Sequence, residues 1–316
     1  MSPVPRSILQ ALNLPTDPAY CTLDSSSLGS GFTSTSTLHA KVPNSNGTPS
    51  ETKYFIKTSK DGTAAQEMFH GEYESLNAIA RVVPGFCPRA LAWGSLDERN
   101  AYFLATEFLD LSGTMGRGSG DETDPSSLAY RLGKLHSTPA PADPESGRRR
   151  YGFPVPTFCG DTRQANNFYD SWAEFYANER LLTILASSER RNGRDAGLRD
   201  LVEKTANIVV PRLLADDHLG YNSRGEGEGI QPVVVHGDLW SGNVDRGRIV
   251  GDSSGEELVG DLVYDPSACY AHSEFELGIM HMFGGFGARF FELYHRVVPK
   301  TEPVEEYDDR VRLYEL

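Results

Sequence analysis

No apolar stretch of this chain approaches the length of a membrane span, and the N-terminal MSPVPRSILQALNLP lacks the apolar core of a secretory signal. Membrane association is therefore not expected, and the cytoplasm is the expected compartment. Cysteine is scarce. Cys21, Cys87, Cys159 and Cys269 lie far apart and form neither a CxxC pair nor a metal pattern, so free thiols in a reducing compartment are the expectation. Positive charge is in deficit, with 30 Lys and Arg against 44 Asp and Glu and a net charge of -14. Such a surface repels phosphate backbones and anionic lipid, which excludes a general binder of either. Internal repeats are missing as well, and the biased stretches are polar linkers. What is present, 316 residues of which 39% are hydrophobic, is enough for two lobes with separate cores.

The most informative stretch is residues 233–244, VVVHGDLWSGNV. Three β-branched valines predict a covered strand, and Gly237 lets the chain turn sharply after it. Asp238 followed five residues later by Asn243 has the spacing of a kinase catalytic loop, in which the Asp accepts the acceptor hydroxyl's proton and the Asn holds magnesium. The sequence reads HGD where protein kinases have HRD. That short form is usual in kinase-like enzymes acting on small molecules, so the expected acceptor is not a Ser, Thr or Tyr hydroxyl. A single Asp after a strand is commonly a turn former. Four fixed residues in register after an apolar strand favour the catalytic reading. His236 is expected to brace the loop through a structural hydrogen bond.

Upstream, residues 27–42 read as a β-ribbon with a glycine turn, where amides around Gly29 and Gly31 are placed to close over ATP phosphates; an ordinary hairpin has the same pattern. The strand KYFIK ends in Lys57, positioned like the kinase lysine that grips the α and β phosphates. In a helix over residues 62–81, Met68, Glu72, Leu76 and Ile79 share one face. Glu72 is thereby aimed into an apolar interface and needs a cation, for which Lys57 is the natural candidate. TEFLDL at 106–111 has the form of a hinge between lobes, with backbone groups near Glu107 and Leu109 expected to meet adenine.

Downstream, helices are predicted over 126–136, 167–186 and 195–214, with the irregular stretch 151–167 either lining a site or packing as a connector. A strand over 258–264 ends at Asp265, which is preferred over the in-strand Asp261 as a second magnesium ligand because it emerges at the strand's end. The following helix opens with His272, Glu274 and Glu276. Carboxylates there are favoured by the helix dipole alone. Their position after Asp265 also suggests that Glu276 braces the catalytic loop and that His272 or Glu274 faces the acceptor.

With these residues assembled, the chain resembles the fructosamine-3-kinase family, also called ketosamine-3-kinase or protein-ribulosamine 3-kinase. The matching pieces are FIK at 55–57, MFHGE at 68–72, GF…CG at 152–160, W…F…R at 172–180, HGDLWSGN at 236–243, YDPSACYAHSEFEL at 264–277 and MFGGF at 282–286, which span nearly the whole chain. HGDLWSGN with HSEFE is specific, since relatives acting on aminoglycosides or choline share HGD and the Asn but not the Trp240 context. The resemblance implies an α+β, two-lobed protein-kinase-like fold, with a small β-rich lobe carrying one helix over 1–108 and a larger, mainly helical lobe over 109–316. It implies transfer of the ATP γ-phosphate, with magnesium, to the 3-hydroxyl of a ketosamine on a glycated lysine; the product is unstable and is lost, giving deglycation. Carried onto this chain, Asp238 is the base, Asn243 and Asp265 hold magnesium, and Lys57 with Glu72 positions the phosphates. Trp240 has a flat face suited to stacking on a sugar or to packing beneath the loop. The implied partner is a glycated protein or a small ketosamine, with no nucleic acid and no membrane, and the chain is expected as a monomer or weak dimer.

Two features depart from the family pattern. Phe32 stands where many members carry a cysteine that supports redox-controlled dimerisation, which leaves that regulation open here, with Cys21 as the alternative thiol. The chain also stops at RLYEL, 312–316, where relatives continue into further helices, which suggests a shortened C-terminus. Two other functions stay open at this point: a kinase for another small hydroxylated metabolite, and a nucleotide-binding pseudokinase scaffold. The intact set of Lys57, Asp238, Asn243 and Asp265 counts against the scaffold.

Overall fold

A computed structural model describes residues 3–26, 33–43, 49–111, 124–250 and 259–316. Gly29, Gly31 and Phe32, read from the sequence as part of a glycine turn, lie outside the described residues. In chain order the elements are α1 (Arg6–Ala11), β1 (Cys21–Ser26), β2 (Ser34–Pro43), β3 (Pro49–Ser59), α2 (Thr63–Val82), β4 (Ala90–Ser95), β5 (Tyr102–Leu111) and α3 (Leu128–Ser137). Next come β6 (Thr157–Cys159), β7 (Thr162–Gln164), α4 (Trp172–Phe175), α5 (Thr183–Asn192), α6 (Ala196–Lys204) and α7 (Val210–Leu214). The remainder is β8 (Val233–Val235), β9 (Val244–Val250), β10 (Gly260–Val263), β11 (Cys269–Ala271), α8 (Phe275–Phe283), α9 (Ala288–Val297) and α10 (Tyr307–Tyr314).

The chain divides into two compact units, Met1–Arg117 with Val244–Asp265, and Gly118–Asn243 with Pro266–Leu316. The boundary expected at 108/109 falls inside β5, and the β9–β10 ribbon belongs to the first unit although it lies far along the sequence. In the first unit a seven-stranded sheet runs in the order β1-β2-β3-β5-β9-β10, with β4 also on β5. Strand β5 is the hub. Its first half pairs with β3 and β4, and Phe108–Leu111 then pairs antiparallel with β9. The stretch read as a hinge is thus a continuation of a strand. Alternation along β2 and β5 sends Leu38, Ala40, Phe103 and Ala105 into one core with Ile8 and Leu9 of α1. Helix α2 packs on β4 and β5. Its buried stripe centres on Ala65, Phe69, Leu76 and Ile79, and Met68 is only half-buried, one position away from the face read from the sequence.

The second unit is mainly helical. Ser171 caps α4 by accepting from Glu174 N, which starts that helix at Trp172 rather than at 167. Two long helical runs, 172–192 and 196–214, each pass through a π-helical turn, at Tyr176–Leu182 and Thr205–Val209. The core gathers around fully buried Trp172, whose Nε1 donates to the Tyr314 hydroxyl at 2.8 Å. Phe175, Tyr176, Phe275 and Tyr314 surround its ring at centroid distances of 5.5 to 6.1 Å. Two short antiparallel ladders, β8 with β11 and β6 with β7, complete the unit. Among the described residues no helix is long and apolar enough to cross a membrane.

Candidate active site

Strand β8 is Val233, Val234 and Val235, all buried, and it delivers the chain into the HGD loop. Gly237 turns there at φ +79°, and a Cβ at this position would stand 2.1 Å from the Ser267 carbonyl oxygen, so only glycine fits. The ladder places Cys269 opposite Val235, and it is extended by Ser267 N donating to the His236 carbonyl at 2.9 Å. The chain leaving β11 then enters α8, whose first turn carries Glu276. One oxygen of Glu276 accepts from His236 N, and the other accepts from Gly237 N at 3.0 Å. These two amides would otherwise be orphaned at the loop's apex. Burial pushes the Glu276 carboxyl up, but the contacts with His136 and His236 outweigh it, and the group titrates below the usual carboxylate range. The expected brace is in place.

His236 is buried, and its Nδ1 accepts from Asp238 N at 3.3 Å. The histidine therefore shapes the loop from within, as the sequence suggested. Asp238 itself is half-buried. Its backbone carbonyl accepts from Asn243 Nδ2 at 2.8 Å, its Oδ2 from the same nitrogen at 3.3 Å, and its Oδ1 from Cys159 Sγ at 3.5 Å. Asn243 thus spends its amide nitrogen on the loop. Trp240 is 39% exposed; its ring packs over Gly242 of the same loop and lies 5.8 Å from the Phe283 ring, which leaves part of the indole open to solvent.

In the first unit Lys57 Nζ donates to Glu72 at 2.7 Å and to Asp265 at 2.6 Å. Desolvation opposes the buried ammonium, yet the two carboxylates overcompensate and hold Lys57 protonated well above its ordinary range. Asp265 sits at φ +58°, in the left-handed region that Asp tolerates better than most residues, and its side chain is half-exposed. Asp261, by contrast, is buried in β10 and 3.5 Å from Arg246. A cavity of about 410 Å³ is lined by Thr35, Lys57, Glu72, Glu107, Leu109 and Asp265. One detail of the adenine expectation needs correcting. Glu107 N already donates to the Arg89 carbonyl, and the Glu107 side chain is clamped by Arg89, so neither is free for a base. Leu109 lines the cavity from the stretch of β5 that pairs with β9.

His272 and Glu274 do not face an acceptor. Both are 2% exposed. His272 bonds Tyr314 OH at 3.0 Å and Thr301 Oγ1 at 2.8 Å, and burial pushes its pKa down to about 4, so it is neutral at pH 7. Glu274 pairs with fully buried Arg310 at 2.7 Å and accepts from Thr301 N at 2.8 Å. Sequence reasoning missed Arg310 and Cys159. The rule that sent Glu72 in search of a cation applies equally to Glu274 and would have pointed to Arg310. Nothing in the spacing of Cys159 announced its contact with Asp238.

A Lys–Glu pair under a β-sheet and an HGD loop with its Asn are the parts of a kinase-like phosphotransferase. The chain belongs to the fructosamine kinase family, whose sequence profile matches residues 21–316. It is 30% identical to the ketosamine-3-kinase of Mus musculus over 283 residues, covering 84% of this chain and 80% of that one. It is also 30% identical to the chloroplastic protein-ribulosamine 3-kinase of Oryza sativa subsp. japonica over 261 residues, covering 83% of this chain and 65% of that one. A solved structure of a candidate fructosamine-3-kinase from Thermobifida fusca has the same fold, with a TM-score of 0.69 over 99% of this chain and 88% of that one at 21% identity.

Proposed function

We propose that this protein phosphorylates the 3-hydroxyl of ketosamines, the ribulosamine and fructosamine adducts of protein lysines, using ATP. Family membership favours this acceptor over an aminoglycoside, choline or a scaffold role. The observation that carries the reading is the HGD loop: Glu276 fixes its apex, and Asp238 is presented as a half-buried carboxylate at its end. Asp238 takes the proton of the acceptor hydroxyl while that oxygen bonds to the γ-phosphorus and ADP leaves with the bridging oxygen. Lys57, steadied by Glu72, neutralises phosphate charge, and Trp240 stacks on the sugar. The adduct bearing phosphate at C3 is unstable, and its breakdown frees the amine.

Asn243 and Asp265 suit magnesium, because an amide oxygen and a half-exposed carboxylate are hard donors that leave positions for water and phosphate. When bound, the ion offsets negative charge on the phosphates. We assign the reaction to the cytoplasm, where the four free cysteines would stay reduced. The test is ATP consumption on ribulosyl-lysine, fructosyl-lysine and unmodified lysine, with Asp238→Asn as control. Turnover on a ketosamine that falls about 10²–10⁴-fold in the variant supports the reading. ATP binding with no ketosamine turnover overturns it.

A further inference from the structure

The two-stranded hairpin of β6 and β7 has no part in the reaction described above, yet it is fastened from both ends. On one side Asn166 Nδ2 donates to Thr157 Oγ1 at 2.8 Å and to the Val155 carbonyl at 3.2 Å. The Asn166 oxygen in turn accepts from buried Arg180 at 2.7 Å, and Arg180 arises from the π-helical turn. On the other side Ser267 Oγ donates to Gln164 Oε1 at 3.5 Å, and Ser267 is the residue whose amide caps the His236 carbonyl. The hairpin is therefore tied to the strand that carries the HGD loop. Its strand β6 ends at Cys159, whose Sγ lies 3.5 Å from Asp238 Oδ1.

We infer that Cys159 is a positioning residue: its thiol proton holds one oxygen of Asp238 while Asn243 holds the other, which fixes the plane of the catalytic carboxylate. The inference rests on the reading of Asp238 as the base. A donor on each oxygen narrows rotation about the Cβ–Cγ bond, so an acceptor hydroxyl meets the carboxylate in the right orientation a larger share of the time. A thiol suits the task because it is a weak donor, which directs the carboxylate without greatly reducing its affinity for a proton. Burial, with Asp238 as the next cause, pushes the Cys159 thiol up to about 12, so it keeps its proton throughout the working range and is a poor nucleophile.

The contact and the kinetics are tested separately. The S–H stretching band of Cys159, taken as the infrared difference between wild type and Cys159→Ala, is expected to move when Asp238 is changed to Ala. This readout needs no turnover. On the acceptor that the wild type uses, Cys159→Ala is expected to lower kcat about tenfold, the worth of one hydrogen bond, with KM for ATP and acceptor within about twofold. Cys159→Ser, which restores a donor, is expected to recover most of kcat. A band that ignores Asp238→Ala overturns the inference, as do an undiminished kcat in Cys159→Ala and equal losses in the Ala and Ser variants. If the band responds but the wild type turns over no ketosamine, the acceptor assignment falls and the contact stands.

Discussion

Glu72 and Glu276 are both single carboxylates on the inner side of a helix, and each reaches a group outside its own helix. They differ in what is left over. Glu72 meets Lys57, whose ammonium is shared with half-exposed Asp265 at the wall of a cavity. Its partners therefore line an opening rather than a closed core. Glu276 gives both oxygens to backbone amides and is sealed, as is Glu274 beside it with Arg310. A charge whose partners line an opening is a candidate site, whereas a charge sealed in with all its partners is a support.

That contrast can be broken most severely at Arg310. Arg310→Ala leaves Glu274 buried and unpaired and should lower the unfolding free energy by about 3–5 kcal/mol in urea titration, with the acceptor KM of the folded enzyme unchanged. A tenfold rise in that KM would instead return Glu274 to the acceptor site. Lys57→Ala should do the reverse, lowering kcat about 10²–10³-fold in ATP turnover with a smaller change in stability.

Acid should separate the two regions as well. His272 is held to about 4 when folded, against about 6.5 when unfolded. The unfolded chain binds its proton first, so stability falls as pH drops from about 6.5 to about 4, by up to about 3 kcal/mol from this residue. The depressed carboxyls of Glu274 and Glu276 add a loss in the same direction at lower pH, as they are forced to protonate. His272→Gln should flatten the upper limb of a denaturation series run against pH. Glu276→Gln keeps the shape but removes one of two good acceptors, and a loss of about 1–3 kcal/mol with a modest drop in kcat is expected from the same titrations and assays. The smallest effect belongs to Trp240→Phe, which keeps an aromatic face and should raise the acceptor KM less than about tenfold.

Much of the support and of the site was legible because local rules converge on it. The valines of β8, the glycine after His236 and the five-residue spacing to Asn243 are all short-range signals, and the Lys57–Glu72 pair follows from helical period plus the cost of a lone buried charge. His272 and Glu274 were misplaced because a position just after Asp265 in sequence was taken for a position facing the acceptor. Their burial is set by Tyr314, Thr301 and Arg310, which approach from 27 to 42 residues downstream. The hinge was misread for a related reason. TEFLDL has the composition of a strand end, and whether the strand continues depends on β9, more than a hundred residues away. Long-range pairing decides such cases, and no local pattern encodes it.

The return of residues 244–265 to the first unit has a practical side. The polypeptide passes from one unit to the other after Arg117, Asn243 and Asp265, so no single cut yields either unit whole. A gene fragment ending at Arg117 would carry β1 to β5 and omit β9 and β10, leaving Phe108–Leu111 with the row of backbone donors and acceptors that β9 normally covers. An exposed edge of that kind recruits strands from other molecules. Expression of residues 1–117 alone should therefore give aggregate, and a soluble version of the first unit calls for a permuted chain in which residues 244–265 are spliced back beside β5.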